Sequence, residues 1–216
     1  YICWGRVKMI TRLEWEEELC KRHTSKNQEK IAKARVAICG LGGLGSNIAI
    51  ALTRAGVGEL NLIDYDCVDL SNIHRQQYGI RQIGLPKTEA LAYILRQINP
   101  WSNLRLNQVK LTEENLKEYV NETIICEAFD KPAEKAMLTN GVMEQFPKSI
   151  LIGASGMAGF EDGNLIQTRK ITSRYYLCGD GENGIETLGT LMAPRVMICA
   201  AHQANQVLRL ILEAEE

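Results

Sequence analysis

The sequence predicts an α/β protein with a mostly parallel twisted sheet, helices on both faces and antiparallel edge strands toward the C-terminus. Three observations predict this fold class. Short apolar runs alternate with helical patterns, mostly without hairpin turns between them. The first run ends in glycines spaced G-x-G-x-x-G, at Gly40, Gly42 and Gly45, and leads directly into a helix. The second run ends at Asp64, as in a Rossmann-like βαβ unit.

The chain opens with a predicted helical leader. Residues 13–20 have the pattern of a short acidic amphipathic helix, and a polar helical segment follows. We expect residues 1–34 to pack on the main domain, because Trp15 and Leu19 are costly to leave in water. Residues 35–216 form that main domain, and a chain of 216 residues is expected to fold as a single domain overall.

The other elements follow from periodicity, glycine and proline. Strands are predicted where apolar runs are short, at residues 35–39, 59–63, 104–109, 123–127 and 149–153, with an edge strand at 164–168. Long helices are predicted at residues 44–55, 87–98, 133–146 and 194–212. Thr112 is expected to cap a further short helix. The glycine-rich stretch 176–192 is predicted to be a mobile crossover loop.

The composition argues against several classes of function. Lys and Arg total 25 and Asp and Glu total 26, which leaves a net charge of −1 and no basic block for nucleic acid. No apolar stretch is long enough to span a bilayer and no signal-peptide pattern is present, which predicts a cytoplasmic protein. The seven cysteines are scattered without a C-x-x-C pair, so neither a disulfide scaffold nor a four-thiolate zinc site is expected.

The glycine turn is the first candidate site, formed by Gly40, Gly42, Gly43 and Gly45. Glycines have no Cβ to obstruct a phosphate, and the N–H groups of the following helix face that phosphate. In a parallel sheet, ligands bind outside the carboxyl ends of the strands. Asp64 ends the second strand there and can accept both ribose hydroxyls; a turn-forming or helix-capping Asp is the alternative.

Further polar residues gather past the strand ends. Asn72, Arg75 and Gln76 form a cluster after the second strand. Lys87 opens a helix, where its charge is unfavourable beside the helix dipole unless an anion such as polyphosphate is bound. Asp130 ends another strand, either as a magnesium ligand opposite phosphates or as a plain helix cap. Each polar residue alone can be a solvated surface residue, but two cations and two amides near one glycine turn indicate phosphate binding.

These segments resemble the ThiF/MoeB/ubiquitin-activating-enzyme superfamily, over nearly the whole chain from about residue 13 to 212. The resemblance is carried by the glycine turn, Asp64-Tyr65-Asp66, the S-N-x-x-R-Q element at residues 71–76, Pro86-Lys87-Thr88 and Asp130. The S-N-x-x-R-Q element is far more specific than the glycines. Within the superfamily, the chain looks most like the short ThiF proteins linked to thiamine biosynthesis.

The resemblance implies adenylation with ATP and Mg²⁺. It gives catalytic roles to Arg75, Lys87 and Asp130, with Asp130 as the magnesium ligand. The nucleotide-binding residues that it implies are Gly40, Gly42, Gly43, Gly45, Asp64, Asp66, Asn72, Arg75, Gln76 and Lys87. The second substrate is a small ubiquitin-fold sulfur carrier whose C-terminal Gly-Gly carboxylate attacks the α-phosphorus. A carboxylate is already ionised at neutral pH, so the site must position it and neutralise charge rather than supply a general base.

The resemblance also implies a homodimer in which an Arg located before the first strand completes the partner subunit's site. Arg22 and Arg12 are the candidates. Zinc is not expected, because relatives bind it with two C-x-x-C pairs and this chain has neither. Cys178 stands alone near the position of such a pair. We therefore expect a structural thiol there and no obligatory covalent cysteine step.

Other interpretations of the motifs stay open. The superfamily includes members that act on a molybdopterin carrier or on a tRNA-linked threonylcarbamoyl carboxylate, and the missing basic patch argues modestly against tRNA. An NAD-dependent oxidoreductase also fits G-x-G-x-x-G with Asp64, but it gives Arg75 and Lys87 no role. A non-catalytic relative that only binds a carrier would not need the intact phosphate cluster.

Overall fold

A computed structural model describes residues 9–184 and 188–213. The strands in these residues are β1 Arg35–Cys39, β2 Glu59–Ile63, β3 Asn103–Asn107, β4 Ile124–Glu127, β5 Ile150–Ala154, β6 Gln167–Lys170 and β7 Tyr175–Gly179. The α-helices are α1 Arg12–His23, α2 Ser25–Lys33, α3 Gly43–Ala55, α4 Lys87–Ile98, α5 Leu116–Tyr119, α6 Pro132–Gln145 and α7 Ala193–Glu213. Short 3₁₀ helices lie at Leu70–Asn72, Ile80–Gln82 and Gly163–Leu165.

The strands form one sheet in the order β3-β2-β1-β4-β5-β7-β6. Neighbouring strands run parallel, except that β6 is antiparallel to β7 at the C-terminal edge. This arrangement confirms the predicted Rossmann-like α/β class. Strands β2 and β3 lie on one side of β1, and β4 and β5 lie on its other side, so the order in which strands are added to the sheet reverses at β1. The crevice between β1 and β4 is the switch point at which such sheets bind ligands.

The core lies on both faces of the sheet. In β1 the side chains of Val36 and Ile38 point into one apolar layer, and those of Ala37 and Cys39 point into the other. All four residues are fully buried. Because a parallel strand inside such a sheet is covered on both faces, its sequence is a continuous apolar run rather than an alternation.

The leader helices pack against the far end of α3. Gly56 ends α3 with φ at 80°, and a Cβ there would lie 2.6 Å from Cδ1 of Leu19 in α1. Ile31 of α2 is buried in the first apolar layer. Thr11 and Glu14 form a capping box that starts α1. The division of the chain after residue 34 stays a prediction.

The structure differs from the predicted elements in two places. The first part of the predicted 176–192 loop is strand β7, which lies between β5 and β6 in the sheet. That loop assignment was wrong there because the glycines were weighted above the aromatic, strand-forming Tyr175 and Tyr176. Residues 185–187 of the predicted loop lie outside the described residues.

The second difference concerns the short helix after β3. Thr112 does not cap it, because α5 begins at Leu116 and its N-cap position is Asn115. The Asn115 side chain instead accepts a hydrogen bond of 2.8 Å from the Thr112 backbone N–H, which closes a turn before the helix. Elsewhere the predicted bounds shift by only a few residues, as at the edge strand, which begins at Gln167.

Among the described residues, none of the helices combines the length and apolar character needed to cross a membrane.

Candidate nucleotide-binding site

The carboxyl ends of β1, β2 and β4 meet at one edge of the sheet. Cys39 is in register with both Ile63 and Glu127, so the residues that follow these three positions lie side by side. Two backbone hydrogen bonds extend the pairing by one residue: the Gly40 N–H donates to the Ile63 carbonyl, and the Ala128 N–H donates to the Cys39 carbonyl, each at 2.8 Å. The predicted glycine turn, Asp64 and the segment leading to Asp130 therefore converge.

The glycines of the turn have three different local roles. Gly40 has φ at 91°, and a Cβ there would lie 2.7 Å from the Ala128 carbonyl oxygen. A Cβ at Gly45 would lie 1.8 Å from the Gly40 carbonyl oxygen, so α3 packs directly on the turn. A Cβ at Gly42 would meet only the Gln76 side chain, at 3.6 Å. Gly42 is thus the open position, where a ligand can approach the backbone closely.

The first turn of α3 presents backbone donors at this open position. Gly42 is the N-cap of α3 and supplies no side-chain hydrogen bond to the helix. The first N–H groups of a helix have no acceptor within that helix, and they carry the positive end of its dipole. At Gly43 a Cβ would meet Val196 of α7 at 2.8 Å and Arg75 at 3.5 Å, so the S-N-x-x-R-Q segment and α7 also pack on this turn.

Asp64 holds the glycine turn through both carboxylate oxygens. Oδ2 accepts a hydrogen bond of 2.7 Å from the Leu41 N–H, and Oδ1 accepts one of 2.8 Å from the Asp66 N–H. Burial raises the pKa of Asp64, and nearby Lys87 partly opposes that rise. The turn-forming alternative for Asp64 is therefore realised. Each carboxylate oxygen keeps a further lone pair, so these bonds leave ribose binding possible.

Lys87 joins the same cluster from the start of α4. Its side chain is buried, with Nζ 2.9 Å from Oδ2 of Asp66 and 3.8 Å from Oδ2 of Asp64. The predicted conflict between Lys87 and the helix dipole is thus relieved by two carboxylates, where the sequence interpretation had invoked a phosphate. The structure brings Asp64, Asp66 and Lys87 together, with two negative charges around one positive charge.

The S-N-x-x-R-Q segment lies against the glycine turn. Asn72 accepts a hydrogen bond of 3.0 Å from the Asp69 N–H, and Arg75 donates one of 3.0 Å to the Ser71 carbonyl. Gln76 is buried beside Gly42, and its Oε1 has no hydrogen-bond partner among the described residues. A buried amide oxygen without a hydrogen-bond partner is costly. Rotation of the amide by 180° exchanges its oxygen and NH₂ group, so this position can serve a donor or an acceptor on a ligand.

Asp130 is an exposed carboxylate just past β4, two residues after Ala128, which packs on Gly40. Glu127, at the end of β4, is buried and paired with Lys135 at 2.8 Å. Burial raises the pKa of Glu127 even with that partner. In the described part of the chain, no three His, Cys, Asp or Glu side chains are grouped to hold a metal ion. Mg²⁺ typically takes one or two carboxylates together with phosphates, so a single Asp130 fits this ion.

The two candidate arginines of the leader pair with acidic residues of their own helix. Arg22 is exposed and bonds to Glu18 at 3.2 Å, and Arg12 bonds to Glu16 at 2.6 Å. Leu19, one turn before Arg22, contacts the end of α3 opposite the glycine turn. Since α3 has 13 residues and is about 20 Å long, Arg22 lies well away from the glycine turn of its own chain.

Cys178 is fully buried in β7. Its sulfur lies 3.5 Å from the Thr168 hydroxyl, and burial raises the pKa of the thiol to about 11. A thiol with such a pKa is protonated at neutral pH and is a poor nucleophile. These properties support the structural interpretation. The expectation that zinc is absent stays a prediction.

The sequence interpretation missed four residues that hold the turn: Ser46, Asn47, Gln77 and Tyr78. They contact the backbone of residues 41–43 directly or through one another. Gln77 and Tyr78 directly follow the S-N-x-x-R-Q element, and this position is the only signal that pointed to them. Their contacts connect segments about 30 residues apart in sequence, which a local pattern does not reveal.

Comparison with known proteins shows the family of this chain. Residues 17–216 match the model of the ThiF family. The chain is 33% identical over 175 residues to ubiquitin-like modifier-activating enzyme 5 of Aedes aegypti, covering 80% of this chain and 40% of that protein. It is 43% identical over 94 residues to molybdopterin-synthase adenylyltransferase of Haemophilus influenzae, covering 43% of this chain and 39% of that protein. The chain thus spans about two fifths of the length of these relatives.

The fold also matches a solved structure. The crystal structure of tRNA N6-threonylcarbamoyladenosine dehydratase, TcdA, from E. coli in complex with ATP superposes with a TM-score of 0.82 at 24% identity, and the match covers 95% of this chain and 98% of that one. At this identity the likeness shows the fold. The family match covers nearly the whole chain, and it confirms the superfamily that the glycine turn and the S-N-x-x-R-Q element indicate. The chain belongs to the ThiF family.

Proposed function

We propose that this chain is an adenylyltransferase that uses ATP to activate a carboxylate as its acyl-adenylate. The observation that carries the proposal is the open backbone at Gly42. It lies at the N-terminus of α3 with the buried amide of Gln76 beside it. Arg75 contacts the same turn, and Lys87 lies with the carboxylates past β2. An open glycine with backbone donors, and cations in the residues around it, is what a triphosphate requires.

The chain's own residues would orient the nucleotide. The N–H groups at the start of α3 bind phosphate oxygens, and Arg75 and Lys87 offset the negative charge that builds up as pyrophosphate leaves. Asp64 and Asp66 would bind the ribose hydroxyls, and Asp64 also fixes the turn. Asp130 would hold Mg²⁺, which supplies charge neutralisation to the phosphates when it is bound.

The reaction is a substitution at the α-phosphorus. A carboxylate oxygen of the second substrate forms a bond to that phosphorus, and the bond from it to the oxygen that bridges to the β-phosphorus breaks. The electron pair leaves with pyrophosphate, and the product is a mixed anhydride of the carboxylate and AMP. No proton has to be removed from a carboxylate that is already ionised, which agrees with a site rich in cations and amides.

The proposed second substrate is a small ubiquitin-fold sulfur carrier with a Gly-Gly C-terminus, acting in thiamine biosynthesis in the cytoplasm. The names of the relatives, ubiquitin-like modifier-activating enzyme and molybdopterin-synthase adenylyltransferase, support activation of a ubiquitin-like protein and fit a molybdopterin-synthase substrate equally well. The structural neighbour's name adds a tRNA-linked substrate as a further candidate. Family membership gives no support to an NAD-dependent oxidoreductase.

The proposal includes a homodimer in which the leader of one subunit completes the other subunit's site. Arg22 or Arg12 would reach the partner's phosphates. Leu19, one turn before Arg22, contacts the end of α3 opposite the glycine turn of its own chain. Exposed apolar side chains at the start of the leader support an interface there. These are Met9, Ile10 and Leu13.

The test is ATP–pyrophosphate exchange with three substrates in parallel: a thiamine-type carrier, a molybdopterin-type carrier and threonylcarbamoylated tRNA. We expect exchange only with the thiamine-type carrier and at least about 100-fold less exchange in Asp130→Asn. Glu113→Gln removes another exposed carboxylate and should leave exchange unchanged. Exchange with another substrate would correct the substrate assignment, and full exchange in Asp130→Asn would refute the role of Asp130.

A further inference from the structure

Three consecutive carbonyl groups of the glycine turn are each bonded by a side chain. The Tyr78 hydroxyl donates to the Leu41 carbonyl, the Ser46 hydroxyl donates to the Gly42 carbonyl, and the Asn47 amide donates to the Gly43 carbonyl. Each of these hydrogen bonds is 2.7 Å long. The bonds of Ser46 and Asn47 are local to α3, whereas that of Tyr78 comes from a separate segment.

Gln77 bonds to the side chains of both Ser46 and Asn47 and so holds these two donors in place. Its backbone N–H donates to Oγ of Ser46 at 3.2 Å, and its side-chain amide donates to Oδ1 of Asn47 at 2.6 Å. Both contacts orient these side chains toward the carbonyls of Gly42 and Gly43. Gln77 and Tyr78 therefore tie the segment that carries Arg75 to the glycine turn.

Fixing these carbonyls also fixes the direction of three N–H groups. A trans peptide is planar, and its C=O and N–H point in opposite directions. The carbonyls of Leu41, Gly42 and Gly43 share their peptide groups with the N–H groups of Gly42, Gly43 and Leu44. When side chains hold the carbonyls on one side, these N–H groups are held on the other side. They are the donors at the N-terminus of α3 that a phosphate would use.

Asp64 fixes the preceding peptide in the same way. It accepts the Leu41 N–H at 2.7 Å, so the residue Leu41 is held by Asp64 at its nitrogen and by Tyr78 at its oxygen. Both Tyr78 and Leu41 are buried. Burial raises the pKa of Tyr78, which keeps its hydroxyl protonated and able to donate.

We propose that Tyr78 and Gln77 are positioning residues for the triphosphate, which pre-orient the N–H groups of the glycine turn without contacting the nucleotide. This inference rests on the proposed function. It assigns the two residues after the S-N-x-x-R-Q element to phosphate affinity rather than to core packing. Preorganised backbone donors bind a phosphate more tightly because they need no reorientation when it arrives.

The experiment measures the Kd for ATP with Mg²⁺ by calorimetry, together with the melting temperature of each variant without nucleotide. Tyr78→Phe removes one hydroxyl and keeps the ring, and Gln77→Met removes the amide at similar length. Ser149→Ala is the matched control, because it deletes a buried hydroxyl that donates to the Glu122 carbonyl at 2.8 Å. Ser149 directly precedes β5, so it lies at the amino-terminal ends of the strands, away from the glycine turn. Hydrogen exchange of residues 40–47 in the nucleotide-free protein reports the order of the turn.

We expect Tyr78→Phe to raise the Kd for ATP about tenfold, and Gln77→Met about threefold to tenfold, with faster exchange in residues 40–47. Ser149→Ala should lower the melting temperature without changing the Kd. A Kd that is unchanged in both site variants, or shifted equally in Ser149→Ala, overturns the positioning role. If Tyr78→Phe fails to fold, Gln77→Met decides. Failure of the wild-type chain to bind ATP overturns the proposed function itself, so the two failures are distinguishable.

Discussion

The substitution Gly42→Ala separates ligand binding from folding at the glycine turn. A Cβ at residue 42 meets only the Gln76 side chain, at 3.6 Å, which is an ordinary van der Waals contact. The backbone has φ at −74° and is not left-handed. We expect the variant to fold, with a loss of about 1 kcal/mol because Ala is a poorer N-cap than Gly. That loss is small against the roughly 5–15 kcal/mol of a typical domain.

The same methyl group should act strongly against a bound triphosphate. It occupies the position where a phosphate approaches the first N–H groups of α3, and we expect it to break one charge-assisted hydrogen bond. Each such bond contributes about 1.5–3 kcal/mol. Since about 1.4 kcal/mol corresponds to a factor of ten, the Kd for ATP should rise between about 10-fold and 100-fold.

Calorimetric titration with ATP and thermal unfolding of the same samples provide the assay, with two glycine controls. Gly79→Ala places a Cβ that has no atom within 4 Å, so it should change neither affinity nor stability measurably. Gly45→Ala places a Cβ 1.8 Å from the Gly40 carbonyl oxygen, so it should prevent stable folding. The reasoning is refuted if Gly42→Ala binds ATP as tightly as the wild type while remaining folded.

Three further predictions concern buried charges and the thiol. Lys87→Met should weaken ATP binding about 10-fold to 100-fold. It should also raise the pKa of Asp64 further, because the ammonium that opposes the burial effect is lost. NMR titration of the carboxyl groups checks the second effect, and a lower pKa of Asp64 would refute it. Lys135→Met should cost about 3 kcal/mol at neutral pH, since Glu127 is left buried without its cation. The pKa of Glu127 is already raised by burial and rises further in this variant. The loss of stability should therefore shrink as the pH falls and Glu127 becomes protonated. Urea unfolding at several pH values checks this trend, and a loss of stability that grows toward acid pH would contradict it. Cys178→Ala should keep acyl-adenylate formation within about twofold of wild type, because a protonated buried thiol is a poor nucleophile. Mass spectrometry of the product checks this prediction, and a larger loss of acyl-adenylate would contradict it.

Much of the fold could be predicted because its signals are local. The bounds of β1, β2 and α4 agree with the prediction residue for residue, since apolar runs end there at glycine, aspartate, proline and asparagine. Strand β7 could not be predicted in the same way. Its position in the sheet depends on pairing with β5 and β6, and glycines directly follow it in the sequence.

The residues of the candidate site could likewise be predicted where their signals are local, and not where they depend on tertiary packing. The glycines, Asp64, Arg75 and Gln76 were found from motif spacing, and the structure brings them to one edge of the sheet. The pairing of Lys87 with Asp66 could not be found from sequence, because it depends on how α4 packs against the end of β2. The contacts of Tyr78 were missed for the same reason.

Transfer of labelled oxygen tests the central claim of carboxylate adenylation most directly. The second substrate is prepared with ¹⁸O in its terminal carboxylate, and AMP and phosphate are analysed by mass spectrometry after the acyl-adenylate breaks down at its acyl carbon. Attack on the α-phosphorus predicts one ¹⁸O atom in each AMP formed. Label in inorganic phosphate, or AMP free of label, would contradict the assignment of this chain as an adenylyltransferase.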